Sequence, residues 1–258
     1  MKKLIFSILL LASTLLQASD IYVKPGESIA DAIRQARELR RLNDPSIEGG
    51  ITIHVAAGNY RIYEPLFLRP EDSGTPSSPT IIKGEGEVVV SGGVTVTGWK
   101  RQGKLMVADV PDFCGRPLDF RQFYVNGKKA VRARDVADFE DMYRIIRVDK
   151  QKRVLWVPAA AVRKIQKAPY AEMVLHEMWC VANLRIKDIM FAGDSAAVSF
   201  HDPESRIQFE HPWPCPMVTT DGHNSAFYLT NARELLDVPG EWYHDIRAGK
   251  LYYCLLYT

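Results

Sequence analysis

The sequence predicts a mainly β protein in which a solenoid of short stacked β coils, capped by one helix, is interrupted by a separate β-rich module. Three observations carry this expectation. In residues 79–99, PTIIKGEGEVVVSGGVTVTGW, the runs Ile81-Ile82, Val88-Val89-Val90 and Val94 with Val96 are each cut off by glycine, at Gly84 and Gly86, at Gly92-Gly93 and at Gly98. β-Branched residues favour extended backbone and glycine permits tight bends. Ile82, Val89 and Val96 also recur at equal steps of seven, which suits a coil that turns a corner every few residues. Upstream lies one segment of helical apolar spacing, and beyond Lys100 the short rhythm gives way to longer strand patterns.

In chain order, residues 1–18 read as an export signal. Lys2-Lys3 precede an apolar stretch over residues 4–16 and the small polar exit Gln17-Ala18-Ser19; the apolar run is too short to span a bilayer. Such a signal places the protein in the periplasm, at the cell surface or outside the cell. Residues 19–100 form the capped start of the solenoid. Ile21-Tyr22-Val23 is a brief strand closed by Pro25-Gly26, and Ser28-Ile29-Ala30-Asp31 has the form of a capping box. Ile29, Ala32, Ile33, Ala36 and Leu39 follow at helical spacing, with Arg34, Arg37, Glu38, Arg40 and Arg41 opposite, and the helix ends near Asn43-Asp44-Pro45. Its expected task is to cover the open end of the solenoid. Ile51, Ile53 and Val55 then alternate with Thr52 and His54 before a turn at Gly58-Asn59. Leu66-Phe67-Leu68 is a further expected strand, ahead of a Gly, Pro and Ser loop over residues 71–79.

Residues 101–230 are expected to form the β-rich insertion. Phe123-Tyr124-Val125 and Ala130-Val131 flank Asn126-Gly127, the signal of a type I′ hairpin. Longer strands are expected over residues 144–148, 154–157, 172–181, 185–189, 196–200 and 206–209. Residues 231–258 then return to the solenoid.

Composition narrows the function classes. The 258 residues are 47% hydrophobic and 25% charged, an ordinary globular balance. Without Lys2 and Lys3 the 33 basic residues fall to 31, equal to the 31 acidic ones, so the electrostatic argument for a nucleic-acid partner disappears. The cysteines, Cys114, Cys180, Cys215 and Cys254, form no CxxC pair, which argues against zinc. Unpaired buried thiols are favoured over the disulfides that export would allow.

Four stretches carry a family resemblance. They are VKPGESIADAI (residues 23–33) with HVAAGNYRI (54–62), GTPSSPTIIKGEGEVVVSGGVTVTGW (74–99), QFYVNGKKAVRAR (122–134) and FYLTNARELLDVPGEWYHDIRAGKLYY (227–253). The chain resembles right-handed parallel β-helix proteins of the pectin-lyase-like superfamily, and within them glycoside hydrolase family 141. The first two stretches are common to many β-helix lyases and hydrolases; the last two are similar to the family's insertion domain. The resemblance implies the start of a single-stranded right-handed parallel β-helix with an N-terminal capping helix, interrupted by a β-rich insertion domain. It also implies that this is the N-terminal part of a longer enzyme whose catalytic acids lie further on, so that this chain alone is inactive. The implied function is that of a secreted glycoside hydrolase, fucosidase- or xylanase-like, with a polysaccharide or oligosaccharide partner. A polysaccharide lyase, or a non-catalytic carbohydrate-binding surface protein, is the alternative.

Glycoside hydrolysis normally takes two carboxyl groups on opposite sides of the bond, and no pair stands out here. Only a few acids sit beside groups able to tune them; Glu177, between His176 and Trp179, could line a sugar subsite, against a simpler role as a strand residue. Asp221-Gly222-His223-Asn224 reads as a turn, and Asp237 and Glu241 flank Pro239-Gly240 as turn acids. No nucleophile elbow, phosphate loop, cofactor motif or metal-ligand cluster is present. No catalytic residue is therefore assigned. Trp179, Trp213 and Trp242 are the candidate carbohydrate contacts, since indole faces stack on sugar rings, against the ordinary use of such residues as packing anchors.

Overall fold

The computed structural model describes residues 18–113 and 115–255. The export signal expected over residues 1–18 lies outside the described residues up to residue 17, as does Cys114. The protein is mainly β and divides into two units, one ending at Thr95 and the other beginning at Val96. Among the described residues, no helix is long and apolar enough to cross a membrane.

The first unit is a three-stranded parallel sheet and one helix. β1 (Ser19–Val23), β2 (Ile51–Arg61) and β3 (Thr80–Ser91) lie in the order β1-β2-β3, with Ile21, Ile53 and Ile82 in one row. α1 (Ile29–Arg41) begins as the sequence reading expects: Ser28 accepts from the Asp31 backbone N–H at 3.1 Å. Its face of Ile29, Ala32, Ile33 and Ala36 packs on Ile21, Val23, Ile51, Ile53 and Val55. The other face is not merely solvated. Arg37 grips the Asp72 carboxylate with two bonds of 2.7 Å and holds its pKa below the usual range, while Arg40 binds Thr80 Oγ1 and the Ser78 carbonyl.

The glycines act differently from the expectation of three short strands with corners between them. β3 runs unbroken through Gly84 and Gly86, while Val94 and Val96 lie outside any strand. The bend is made inside the paired strands instead, where the β2–β3 register shifts between Ala56 and Gly58. Gly58 has φ +148°, and a Cβ there would come within 2.7 Å of Pro25. Residues 66–68 are likewise not a strand.

The second unit carries two larger sheets, mostly antiparallel. β4 (Lys100–Gln102), β5 (Leu105–Asp109), β6 (Asp112–Phe113), β7 (Arg116–Pro117), β8 (Tyr124–Val125), β9 (Lys128–Lys129) and β10 (Val131–Arg132) come first. β11 (Tyr143–Arg144), β12 (Arg147–Asp149), β13 (Val154–Pro158), α2 (Ala159–Val162), β14 (Glu172–His176), β15 (Val181–Ala192) and β16 (Ser195–Phe200) follow. α3 (Glu204–Glu210), β17 (Ala226–Thr230), β18 (Glu241–Asp245) and β19 (Lys250–Cys254) complete the described elements. The seven-stranded sheet has the order β11-β17-β14-β15-β16-β13-β12, and the five-stranded sheet the order β10-β18-β19-β5-β4. β18 and β19, in the segment that sequence reading assigned to a return to the solenoid, pair here with β10 and β5.

Alternation explains the cores. Met173 and Leu175, Phe227 and Leu229, Leu184 and Ile186, and Leu155 and Val157 point to one side and form the main core. Tyr243 and Tyr252 join it, whereas Trp242, Leu251 and Tyr253 face the opposite way and pack with Trp99, Phe120 and Phe123. β18 and β19 are thus buried on both faces, the polar Glu241 and His244 included. Residues 204–210, expected to include a strand, form α3: Ser205, Gln208 and Phe209 are buried, a helical spacing that the short apolar pattern did not distinguish from alternation.

His54 clamps the three strands of the first unit. Its Nε2 lies 2.9 Å from Asp20 on β1 and its Nδ1 2.7 Å from Glu85 on β3, with Tyr22 stacked on the ring at 4.9 Å and Lys83 also bound to Glu85. Hydrogen bonds to Glu85 and then Asp20 raise the imidazole pKa. A pKa raised on folding stabilises fully below the unfolded value of about 6.5 and is lost as pH rises through the folded one. The first unit is therefore expected to melt at a lower temperature on the alkaline side of this window. His54→Gln should flatten that dependence, and identical pH profiles for the two proteins would remove the clamp.

Candidate functional site

The three tryptophans have different fates. Trp242, on β18, is fully buried: Phe120 stacks on it at 5.3 Å, Arg132 lies over it at 5.5 Å, and its Nε1 donates to the Ala130 carbonyl at 3.3 Å. It offers no free ring face to a sugar, which corrects its reading as a carbohydrate contact. Trp179 stands at the tip between β14 and β15, 72% exposed, and Trp213 in the loop after α3, 60% exposed. The two stand on separate loops.

Beside Trp179 the hairpin tip holds a partly buried acid. The Glu177 backbone N–H donates to the Cys180 carbonyl at 2.9 Å, and the Cys180 thiol donates to Glu177 Oε2 at 2.9 Å. Burial pushes the Glu177 carboxyl up, and burial with the Glu177 contact pushes the thiol to about 11. Cys180 therefore stays a thiol at neutral pH and is no nucleophile. His176 is held down by burial and then by Arg144, and packs edge-on against Phe139 at 5.5 Å. Glu177 Oε1 and His176 Nε2 are buried without a hydrogen-bond partner among the described residues.

A second feature was not foreseen. A cavity of about 670 Å³ opens between the β8–β9 hairpin, residues 130–137 and the turn over residues 237–240. Asn126 and Gly127 have φ +51° and +75°, the type I′ geometry the sequence announced, and this turn sets Lys128 and Lys129 on the cavity wall. Val125, Val131, Val238, Pro239 and Tyr253 supply its apolar lining.

Two carboxyl groups also line it. Glu241 is buried; its Oε1 accepts from the Arg134 backbone N–H at 3.3 Å, and its Oε2 from those of Asp237 at 3.3 Å and Val238 at 3.1 Å. Burial raises its pKa, against the lowering effect of those donors. Asp135 Oδ1 accepts from the Leu229 N–H at 2.8 Å, Oδ2 has no partner, and burial pushes this carboxyl up too. Sequence reading took Glu241 for a turn acid and passed over Asp135, whose surroundings come from β17, far along the chain. Asp237 pairs with Lys164 at 2.8 Å. Asp221 and Asn224 serve a turn: Asp221 accepts from the His223 N–H, and Asn224 from that of Thr219.

The arrangement can stack a sugar on Trp179 and take a small ligand into the groove. Among the described residues no group of three or more His, Cys, Asp or Glu side chains could hold a metal ion.

The family model for the GH141 insertion domain matches residues 103–255. A solved structure described as "Glycoside hydrolase" is 61% identical, with a TM-score of 0.83 over 93% of this chain. The match covers 43% of that chain, so this protein spans less than half of its length. No match is found among curated proteins.

Removing the Glu241 carboxylate strands three backbone donors. Glu241→Ala is expected to cost about 2–4 kcal/mol in urea unfolding, and Glu241→Gln, which keeps an acceptor oxygen, about 1 kcal/mol. Equal midpoints for Glu241→Ala and the parent would show that the carboxylate ties nothing.

Proposed function

Because the chain belongs to the GH141 insertion-domain family, we propose that it is the glycan-engaging part of a secreted glycoside hydrolase. One observation carries the reading: that domain's model covers residues 103–255 of a chain 61% identical to a structure named a glycoside hydrolase. In this reading Trp179 and Trp213 are sugar-stacking platforms, because each presents a largely exposed indole on a loop held by a buried sheet. Glu177, beside Trp179, is a half-buried acid whose pKa burial raises and whose Oε2 accepts from the Cys180 thiol, so that it braces the hairpin tip on which the indole stands.

The first unit is read as the opening coils of a right-handed parallel β-helix. Its three strands are parallel, with Ile21, Ile53 and Ile82 in one row, and β3 leaves Ile81, Ile82, Val89 and Val90 each 44% exposed, suited to a further coil. Hydrolysis, with its two carboxyl groups, belongs in this reading to a longer protein of which this chain is the N-terminal part. The substrate is a plant-type polysaccharide containing fucose or xylose, met outside the cytoplasm after export through residues 1–18.

Retention of the chain on immobilised xylan or pectin tests the stacking. Trp179→Ala and Trp213→Ala should each weaken retention roughly fivefold, the equivalent of about 1 kcal/mol per stacked ring, without lowering the melting temperature. Unchanged retention in both variants would overturn the reading. Trp242→Phe should instead lower stability.

A further inference from the structure

We infer that the groove between the β8–β9 hairpin and the turn over residues 237–240 is a subsite for a carboxylate-bearing saccharide unit. This rests on the glycan-engaging reading and adds the substrate's charge to it.

The imbalance of charge partners in the groove carries the argument. Three cations line it, Lys128, Lys129 and Arg134. None of their side chains has an ion pair or hydrogen bond to a carboxylate among the described residues; Arg134 only lies over the Tyr228 ring, at 5.9 Å. The negative groups are occupied. Both Glu241 oxygens accept from backbone N–H groups, Asp237 is paired with Lys164, and Asp135 holds the Leu229 N–H. A groove lined by positive charge without carboxylate partners draws an anion. Arg121 and Arg132, by contrast, meet the Glu172 carboxylate at 2.6 and 2.8 Å.

The remaining lining selects a sugar acid over a bare ion. The cavity, about 670 Å³, is within the range of sites that enclose a small organic ligand. Val125, Val131, Val238, Pro239 and Tyr253 give it apolar walls for the C–H faces of a pyranose. The walls are held from both ends of the unit: Val131 N–H donates to the Gly240 carbonyl, and Gly240 N–H to that of Cys254.

The test compares polygalacturonate with its fully methyl-esterified form, which keeps the sugar rings and loses the charge. The full chain should bind the acidic polymer about tenfold more tightly, a difference that shrinks as salt is raised. Lys128→Gln with Lys129→Gln, and separately Arg134→Gln, should abolish the difference while leaving the esterified polymer and the melting temperature unchanged. Lys150→Gln with Lys152→Gln, exposed lysines outside the groove, should leave the difference intact. Equal binding of the two polymers by the parent, or groove variants that still prefer the acid, would overturn the inference. If Trp179→Ala then weakens binding to both polymers, the glycan-engaging reading survives without the groove; if the parent binds neither polymer nor xylan, both fall.

Discussion

A buried carboxylate that accepts three backbone N–H donors is the constraint on which the second unit's groove depends. Glu241 bonds Arg134 on one side and Asp237 and Val238 on the other, joining segments about a hundred residues apart in sequence. Closing so long a loop costs entropy that local contacts do not recover, so the tie must be made by groups that are expensive to leave unpaired. Buried backbone N–H groups are of that kind. With the ends held, β10 pairs in parallel with β18, and Trp242 fills the space under Phe120.

The same accounting explains why the groove's outer lining is left with unspent charge. Glu241 is held by backbone donors, Asp237 by Lys164 and Asp135 through one oxygen by the Leu229 N–H, and burial disfavours ionisation of Glu241 and Asp135. The lysines come from a two-residue hairpin strand whose backbone geometry is set by Asn126-Gly127, so their position is structural while their charge is free. Stability and binding thereby draw on different groups, which lets the groove variants be read without confusing lost contacts with lost fold.

The first unit solves a different problem with similar chemistry. Parallel strands need partners delivered by long connections, and here the connections are pinned by arginines of α1. Arg37 on Asp72 and Arg40 on Ser78 and Thr80 fasten the segment ahead of β3, while His54 bridges the three strands on the opposite, solvent-facing side. The helix's charged face, which looks like an ordinary solvated surface in sequence, is a set of connectors.

Local signals were legible and non-local ones were not. The helix over Ile29–Arg41, with its Ser28 cap, and the Asn126-Gly127 hairpin were readable from the sequence alone, because capping and positive φ are decided within a few residues. Asp135 was invisible, since its burial is set by Leu229 across the sheet, and Trp242 looked like Trp179 until β18 was seen to be covered on both faces. The glycines of residues 84–86 and 58 were recognised as bending points, but whether they end strands or bend them depends on the neighbouring strand being paired through the bend. What the sequence by itself determined was therefore the mainly β character, the family likeness and the elements whose energetics are local. The groove, the partners of its acids and the choice between core and surface for each aromatic were decided by tertiary structure, because each rests on contacts between segments far apart in the chain.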